Sequence, residues 1–383
     1  MKILRVNRLF DGDVWHLNQE VVIEGQRVLS VIDAPAREFE ADANVHVVDT
    51  LVPGFLDVHV NGGGDALFNH APTLASLATM VQVHAQFGTV AMMPTLISDD
   101  YSIMSAAHQT VCEALTQQAS GILGIHYEGP YLNPMRKGVH NEDKLRSPTE
   151  DKLAHLLQLP AGGKLMVTLA PEKVPQGFVE WLVEQQAIVC IGHSAATYEQ
   201  AMSAVNSGAR GFTHLFNAMS PLTSREPGVV GAALQTGQAT WCGLIADGHH
   251  VHPAVMKVAL AAKGCERMLL VTDAIQSVGS MESELAFLGK KVIRSAGKVT
   301  TEDGTLAGSD LDMATAVRNA IRLVGVDETN ALQMASLRPA EFLGLEHEFG
   351  RIQAGYRASM VALDSDYYVQ KTWIDGQLVW QQD

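Results

Sequence analysis

The residues able to do chemistry fall at the ends of apolar runs. Ile122 to Tyr127 leads into Glu128, Ala187 to Gly192 into His193, Ala209 to Thr213 into His214, and Met268 to Thr272 into Asp273. One carboxylate and two imidazoles form a His₂Glu set, a donor set that catalytic zinc uses with one position left open for water. Asp273 would stand beside it as a free carboxylate. A bound divalent cation lowers the pKa of water from about 15.7 toward about 7 and polarises a carbonyl. A neighbouring carboxylate takes the proton and later returns it to a leaving amine. Together these are the requirements of amide hydrolysis. A lone histidine or glutamate at a strand end is most often a packed or capping residue. The coincidence of four, with no competing metal motif elsewhere, carries the reading.

Four groups can meet only if the runs bearing them are neighbouring strands. About eight such runs occur, near 51–60, 89–97, 122–127, 164–170, 187–192, 209–213, 241–247 and 268–272, and most are continuously hydrophobic, as parallel strands covered on both faces are. Helical patterns fill the gaps at 72–87, 101–119, 175–186, 197–207, 253–263 and 311–324. The fourth of these opens at Thr197 with an early Glu199, a capping signal. The alternation predicts a (β/α)8 TIM barrel, an α/β fold whose catalytic groups gather at the C-terminal ends of the strands. Both ends of the chain read differently. Val21–Val28 forms a hairpin with Gly25-Gln26 near its turn, and Lys371–Val379 one around Asp375-Gly376. The expected division is a barrel over 51–345 and a small β-sandwich domain from 1–50 and 346–383.

Composition sets the limits. The chain has 383 residues, 47% of them hydrophobic and 18% charged, enough for a large globular core. A formal charge of −15 argues against nucleic acid as a partner. It does not bar a small anionic substrate, because local cations act at contact range. No run of about 18 apolar residues exists, so no membrane span is expected. Cys112, Cys190, Cys242 and Cys265 are scattered without a CxxC pair and read as reduced thiols, and Met1 to Arg5 lacks a signal peptide, so a cytoplasmic location is expected. A second, cationic cluster sits in loops on the same face: Lys137 to Asn141, Ser224 to Gly228, and Asp247 to His252. Arg225 is the best single phosphate ligand there, given its fork of donors. His249, His250 and His252 could offer a second metal site, but His249 and His250 are adjacent and cannot easily both reach one ion. The five tryptophans read as packing residues.

At this point a family is recognisable. The chain resembles the N-acetylglucosamine-6-phosphate deacetylases of the amidohydrolase superfamily, over nearly its whole length. The resemblance rests on Pro53 to Gly62, His126 to Pro134, Lys137 to Asn141, Gly192-His193-Ser194, Thr213 to Met219, Arg225 to Gly228, Ala246-Asp247-Gly248, Val271 to Ala274 and Gly304 to Ser309, all in the family's order. It implies hydrolysis of the N-acetyl amide of N-acetylglucosamine 6-phosphate to glucosamine 6-phosphate and acetate, a step of amino-sugar degradation. Glu128, His193 and His214 would hold the metal and Asp273 would be the acid/base. His140 would polarise the carbonyl, with Val139 beside it. Asn217 and Ala218 would touch the sugar. Arg225 and His250 would bind phosphate, with Arg225 supplied by the other subunit of a homodimer. Leu306, Ala307 and Gly308 would line the acetyl pocket.

One departure matters. Many amidohydrolases carry His-x-His after the first strand, where this chain has His59-Val60-Asn61. An amide is a weak zinc ligand. One metal ion per subunit is therefore expected, zinc first, with iron, cobalt or manganese not distinguished by this donor set. His59 is expected to hydrogen-bond at the barrel bottom. A related deacetylase acting on an epimeric or unphosphorylated sugar remains an alternative, as does a cyclic amidase of the superfamily. A barrel that only mediates assembly would not keep four intact chemical positions.

Overall fold

The computed structural model describes residues 1–34, 45–148 and 153–382. Its centre is an eight-stranded parallel sheet whose strands follow one another in chain order: Phe55–Val60, Thr89–Ile97, Gly124–Glu128, Lys164–Leu169, Ile188–Ile191, Gly211–Phe212, Trp241–Leu244 and Met268–Leu270. Burial explains the apolar runs: all nine residues of Thr89–Ile97 are buried, and all five of Gly124–Glu128. The first and last strands are tied by a parallel bridge from Val60 to Ala274. Around it, Asp273 N–H donates to the His59 carbonyl at 2.9 Å and Asn61 N–H to the Ala274 carbonyl at 2.8 Å. These closing contacts run through the residues of the candidate site.

The expected helices appear as Leu74–Ala85, Tyr101–Thr116, Phe178–Glu184, Tyr198–Asn206, Pro253–Lys263 and Met313–Asn319. The cap at Thr197 is a full capping box, but Gln200 closes it rather than Glu199. The box needs a side chain three residues after the cap, and Glu199 is one short. Helices at Gly228–Gln235, Glu328–Ala335 and Leu337–Leu343 were not anticipated. The run 51–60 is two strands and not one. Val45–Pro53 belongs to a different sheet, and the chain enters the barrel after Gly54, where a Cβ would lie 2.3 Å from Val90 Cγ1.

That other sheet joins both ends of the chain. Seven strands from residues 2–53 and 360–381 run in one sheet, antiparallel except where Lys2–Phe10 pairs with Val45–Pro53. Leu4, Val6, Ile23, Val28, Met360 and Trp373 pack into one cluster although they lie on strands spread across its width, so the sheet curls around its own core. Both expected hairpins are present, turning at Gly25-Gln26 and Asp375-Gly376. A third, three-stranded antiparallel sheet at 284–301 was not foreseen. All four cysteines are free, and no helix among the described residues is long and apolar enough to cross a membrane.

Candidate active site

Three side chains from three barrel strands converge on one point. Glu128 Oε1 lies 3.1 Å from His193 Nε2 and 3.1 Å from His214 Nε2, and the two imidazole nitrogens are 3.0 Å apart. No placement of protons satisfies all three edges of this triangle. Each ring can offer one proton to the carboxylate, which leaves the nitrogen–nitrogen edge repulsive. A single cation shared by the three atoms would satisfy all of them, and this is a donor set that catalytic zinc takes. His193 Nδ1–H donates to the Arg136 carbonyl at 2.8 Å, which fixes the tautomer with its Nε2 lone pair facing the point. The donor set and its spacing therefore fit a divalent metal ion.

The backbone helps to aim these groups. His193, His214 and Asp273 have φ of 48°, 36° and 52°, in the left-handed region that non-glycine residues rarely adopt. Each sits just past a strand end, where such a turn re-aims the side chain. Glu172 braces the loops. Its carboxylate accepts from Asn133 Nδ2 at 2.9 Å, Ala195 N–H at 2.7 Å and Ser194 Oγ–H at 2.7 Å, linking the segment after the third strand to the one after the fifth.

Asp273 stands apart from the triangle. Its Oδ1 accepts from Asn61 Nδ2 at 2.7 Å and lies 3.1 Å from His59 Nε2. Burial pushes the Asp273 carboxyl upward, but positive charge on His59 outweighs this and holds it below the usual range. Glu128 behaves alike: burial raises it, while the charge of His59 and the imidazoles around it bring it well below the usual range. His59 itself is raised well above an ordinary histidine, because Asp273 and Glu128 more than offset its burial. It does not sit at the barrel bottom as expected. Its Nε2 lies between the two carboxylates, 3.4 Å from Glu128 Oε2, because it is the last inward-facing residue of the first strand. Asn61 was read only as a poor metal ligand, and its role as the hydrogen-bond partner of Asp273 was missed.

His140 lies on the far side of Glu128, with Nε2 3.6 Å from Oε2. His140 and Glu128 with His193 also form a possible metal-binding group. The 3.0–3.1 Å triangle is the tighter set, so His140 is better placed beside an ion than on it. Its Nδ1 is 3.0 Å from Ser98 Oγ, closer than that hydroxyl is to the Glu128 carbonyl at 3.3 Å. Ser98 Oγ–H is placed to donate to the Glu128 carbonyl; in the tautomer in which it donates to His140 Nδ1 instead, His140 Nε2 carries the proton and can donate. Burial lowers the His140 pKa, so the ring is neutral.

These groups open into a cavity of about 380 Å³. Glu128, His140, His193, His214 and Asp273 line it, together with the expected Val139, Asn217, Ala218, His250, Leu306 and Gly308. Two expected residues are not among its lining. Ala307 is fully buried and turns away to pack with Phe287, Val292 and Val299. Arg225 is exposed at the surface. Ile97 and Phe287 line the cavity but gave no chemical signal in the sequence. His250 Nδ1–H donates to Asp247 Oδ2 at 2.6 Å. Burial alone would lower the His250 pKa, but Asp247 raises it above 6.5.

Residues 50–379 match the model of the amidohydrolase family. The chain belongs to that family. This amidohydrolase is 47% identical over 332 residues to the N-acetylgalactosamine-6-phosphate deacetylase of Shewanella sp. (strain ANA-3), covering 87% of this chain and 84% of that protein. It is 35% identical to the N-acetylglucosamine-6-phosphate deacetylase of Vibrio furnissii, covering 98% of this chain and 94% of the relative. The crystal structure of N-acetylglucosamine-6-phosphate deacetylase from Pasteurella multocida superposes with a TM-score of 0.90 at 32% identity, over 98% of this amidohydrolase and 99% of that chain.

Proposed function

We propose that this amidohydrolase removes the N-acetyl group from N-acetylglucosamine 6-phosphate, giving glucosamine 6-phosphate and acetate. The triangle of Glu128, His193 and His214 with Asp273 beside it carries the reading. Those three residues would hold one divalent ion, zinc first among the candidates. Such an ion, when bound, polarises a carbonyl and lowers the pKa of water. The remaining steps belong to the side chains. His250, whose pKa Asp247 raises, binds the phosphate, and Asn217 and Ala218 face the sugar. His140 Nε2–H donates to the acetyl carbonyl oxygen as negative charge builds there. Asn61 and His59 occupy Asp273 Oδ1, which leaves Oδ2 to take the proton from the attacking water. Asp273 then returns it to the departing amine nitrogen as the C–N bond breaks.

A second reading, the galactosamine epimer, is favoured by the 47% identity to a deacetylase of that sugar phosphate, against 35% for one acting on the glucosamine form. An acetate-release assay on both 6-phosphates and on unphosphorylated N-acetylglucosamine decides between them. The expected result is release from a 6-phosphate, abolished by a chelator and restored by added zinc. Release that a chelator leaves untouched, or release from none of the three, contradicts the proposal.

A further inference from the structure

Two chemically different sets of residues line the cavity. One is polar and includes His250, paired with Asp247. The other is apolar: Ile97, Val139, Phe287 and Leu306. This apolar wall begins at the carbonyl-polarising group. Val139 directly precedes His140, and Ile97 directly precedes Ser98, the hydrogen-bond partner of His140. With the amide nitrogen toward the sugar and the carbonyl oxygen toward His140, the third substituent of the carbonyl carbon faces that wall. Phe287 ends the first strand of the sheet at 284–301 and is 1% exposed. It packs with Leu67, Ile275, Val292 and Val299, so its ring is wedged from behind. The carbonyl of its neighbour Ala286 accepts from Gln276 Nε2 at 2.7 Å, which pins the strand to the segment after the eighth barrel strand. Most other residues of this sheet are exposed, so its buried stripe serves mainly to hold this wall.

We infer that the sheet at 284–301 sets the length of acyl group this enzyme accepts, with Phe287 as the end wall. The inference rests on the deacetylase reading above. A methyl group fits against the ring, and each further methylene meets a side chain that cannot retreat without disturbing the cluster behind it. The test compares wild type, Phe287→Ala and Phe287→Leu on N-acetyl-, N-propionyl- and N-butyryl-glucosamine 6-phosphate and their galactosamine counterparts, reading amine release. Wild type strongly prefers acetyl. In Phe287→Ala the ratio of kcat/KM for propionyl over acetyl rises about tenfold or more, the scale of one methylene in a fitted pocket, and Phe287→Leu gives a smaller rise in the same direction. Circular dichroism and metal content establish that each variant is folded and loaded. Should Phe287→Ala fail to fold, Phe287→Leu and Ile97→Ala carry the comparison. Folded variants that hydrolyse acetyl substrates but leave the ratio within about twofold of wild type overturn the inference. If wild type releases no acyl group from any of these sugars, the deacetylase reading has failed instead.

Discussion

Asp273 shows how single residues divide the work: one carboxylate oxygen is fixed by Asn61 at 2.7 Å and faces His59, and the proposed mechanism uses the other for proton transfer. His250 divides it by charge. Its pKa is lowered by burial and raised by Asp247, and the net shift is upward from 6.5. A raised histidine pKa keeps the cation to higher pH. Its proposed contribution to phosphate binding is then complete below that pKa and lost as pH rises through it. KM for a 6-phosphorylated substrate is expected to climb as pH passes the His250 pKa, with no matching climb for the unphosphorylated sugar. Asp247→Asn moves the climb to lower pH. Steady-state kinetics across that range checks this, and parallel profiles for the two sugars would sink it. The metal-ligating and acid/base candidates were legible because each terminates an apolar run. The place of His59 was not, because strand stagger decides which layer of a barrel an inward-facing residue occupies, and a one-dimensional pattern carries no stagger. Asn61 was hidden for the same reason.

At the scale of elements, the barrel strands were legible from burial on both faces, while the sheet at 284–301 was not. Its strands bury little beyond Phe287, Val292 and Val299, and they include Lys290 and Lys291, so neither alternation nor an apolar run stands out. Gly54 split a run that was continuous in hydropathy, since a close approach to Val90 leaves no hydrophobic trace. Capping was partly legible, and one cap carries functional weight. Glu226 Oε1 accepts from Tyr198 N–H at 3.0 Å and Gly228 N–H at 2.8 Å, so one carboxylate serves the starts of helices Tyr198–Asn206 and Gly228–Gln235. Gly228 has φ of +60°, and a Cβ there would come within 2.8 Å of the Pro221 and Ser220 carbonyls. This tight turn presents Arg225. Glu226→Ala is expected to cost about 1–2 kcal/mol through the lost caps. It should also raise KM for the phosphorylated substrate with little change in kcat. Thermal unfolding and steady-state kinetics check the pair, and an unchanged midpoint with unchanged KM would remove Glu226 from this role.

At the scale of the whole molecule, the question is how a chain of net charge −15 holds a dianion. Among the described residues no lysine or arginine lines the cavity, and His250 is the proposed phosphate contact there. Arg225 is exposed and does not line the cavity of its own chain, although it lies in the loop after the sixth barrel strand, on the face where the cavity opens. A two-fold homodimer in which each Arg225 enters the other subunit's cavity resolves this, because an isologous contact that donates one arginine also receives one. This arrangement makes a prediction that a site complete within one chain does not. Arg225→Ala removes the donated group, and Asp273→Asn removes the acid/base from the receiving site. Each homodimer is therefore defective. In a mixed dimer, the Arg225→Ala subunit keeps its own Asp273 and receives Arg225 from its partner, so one of the two sites is whole. Random re-association of equal amounts gives mixed dimers as half of the population, and roughly a quarter of wild-type activity at low substrate is expected to return. Co-expression with two affinity tags and purification on both isolates the mixed species, where about half of the wild-type activity is expected. Activity no higher than the mean of the two parents would place Arg225 in the service of its own subunit or of neither.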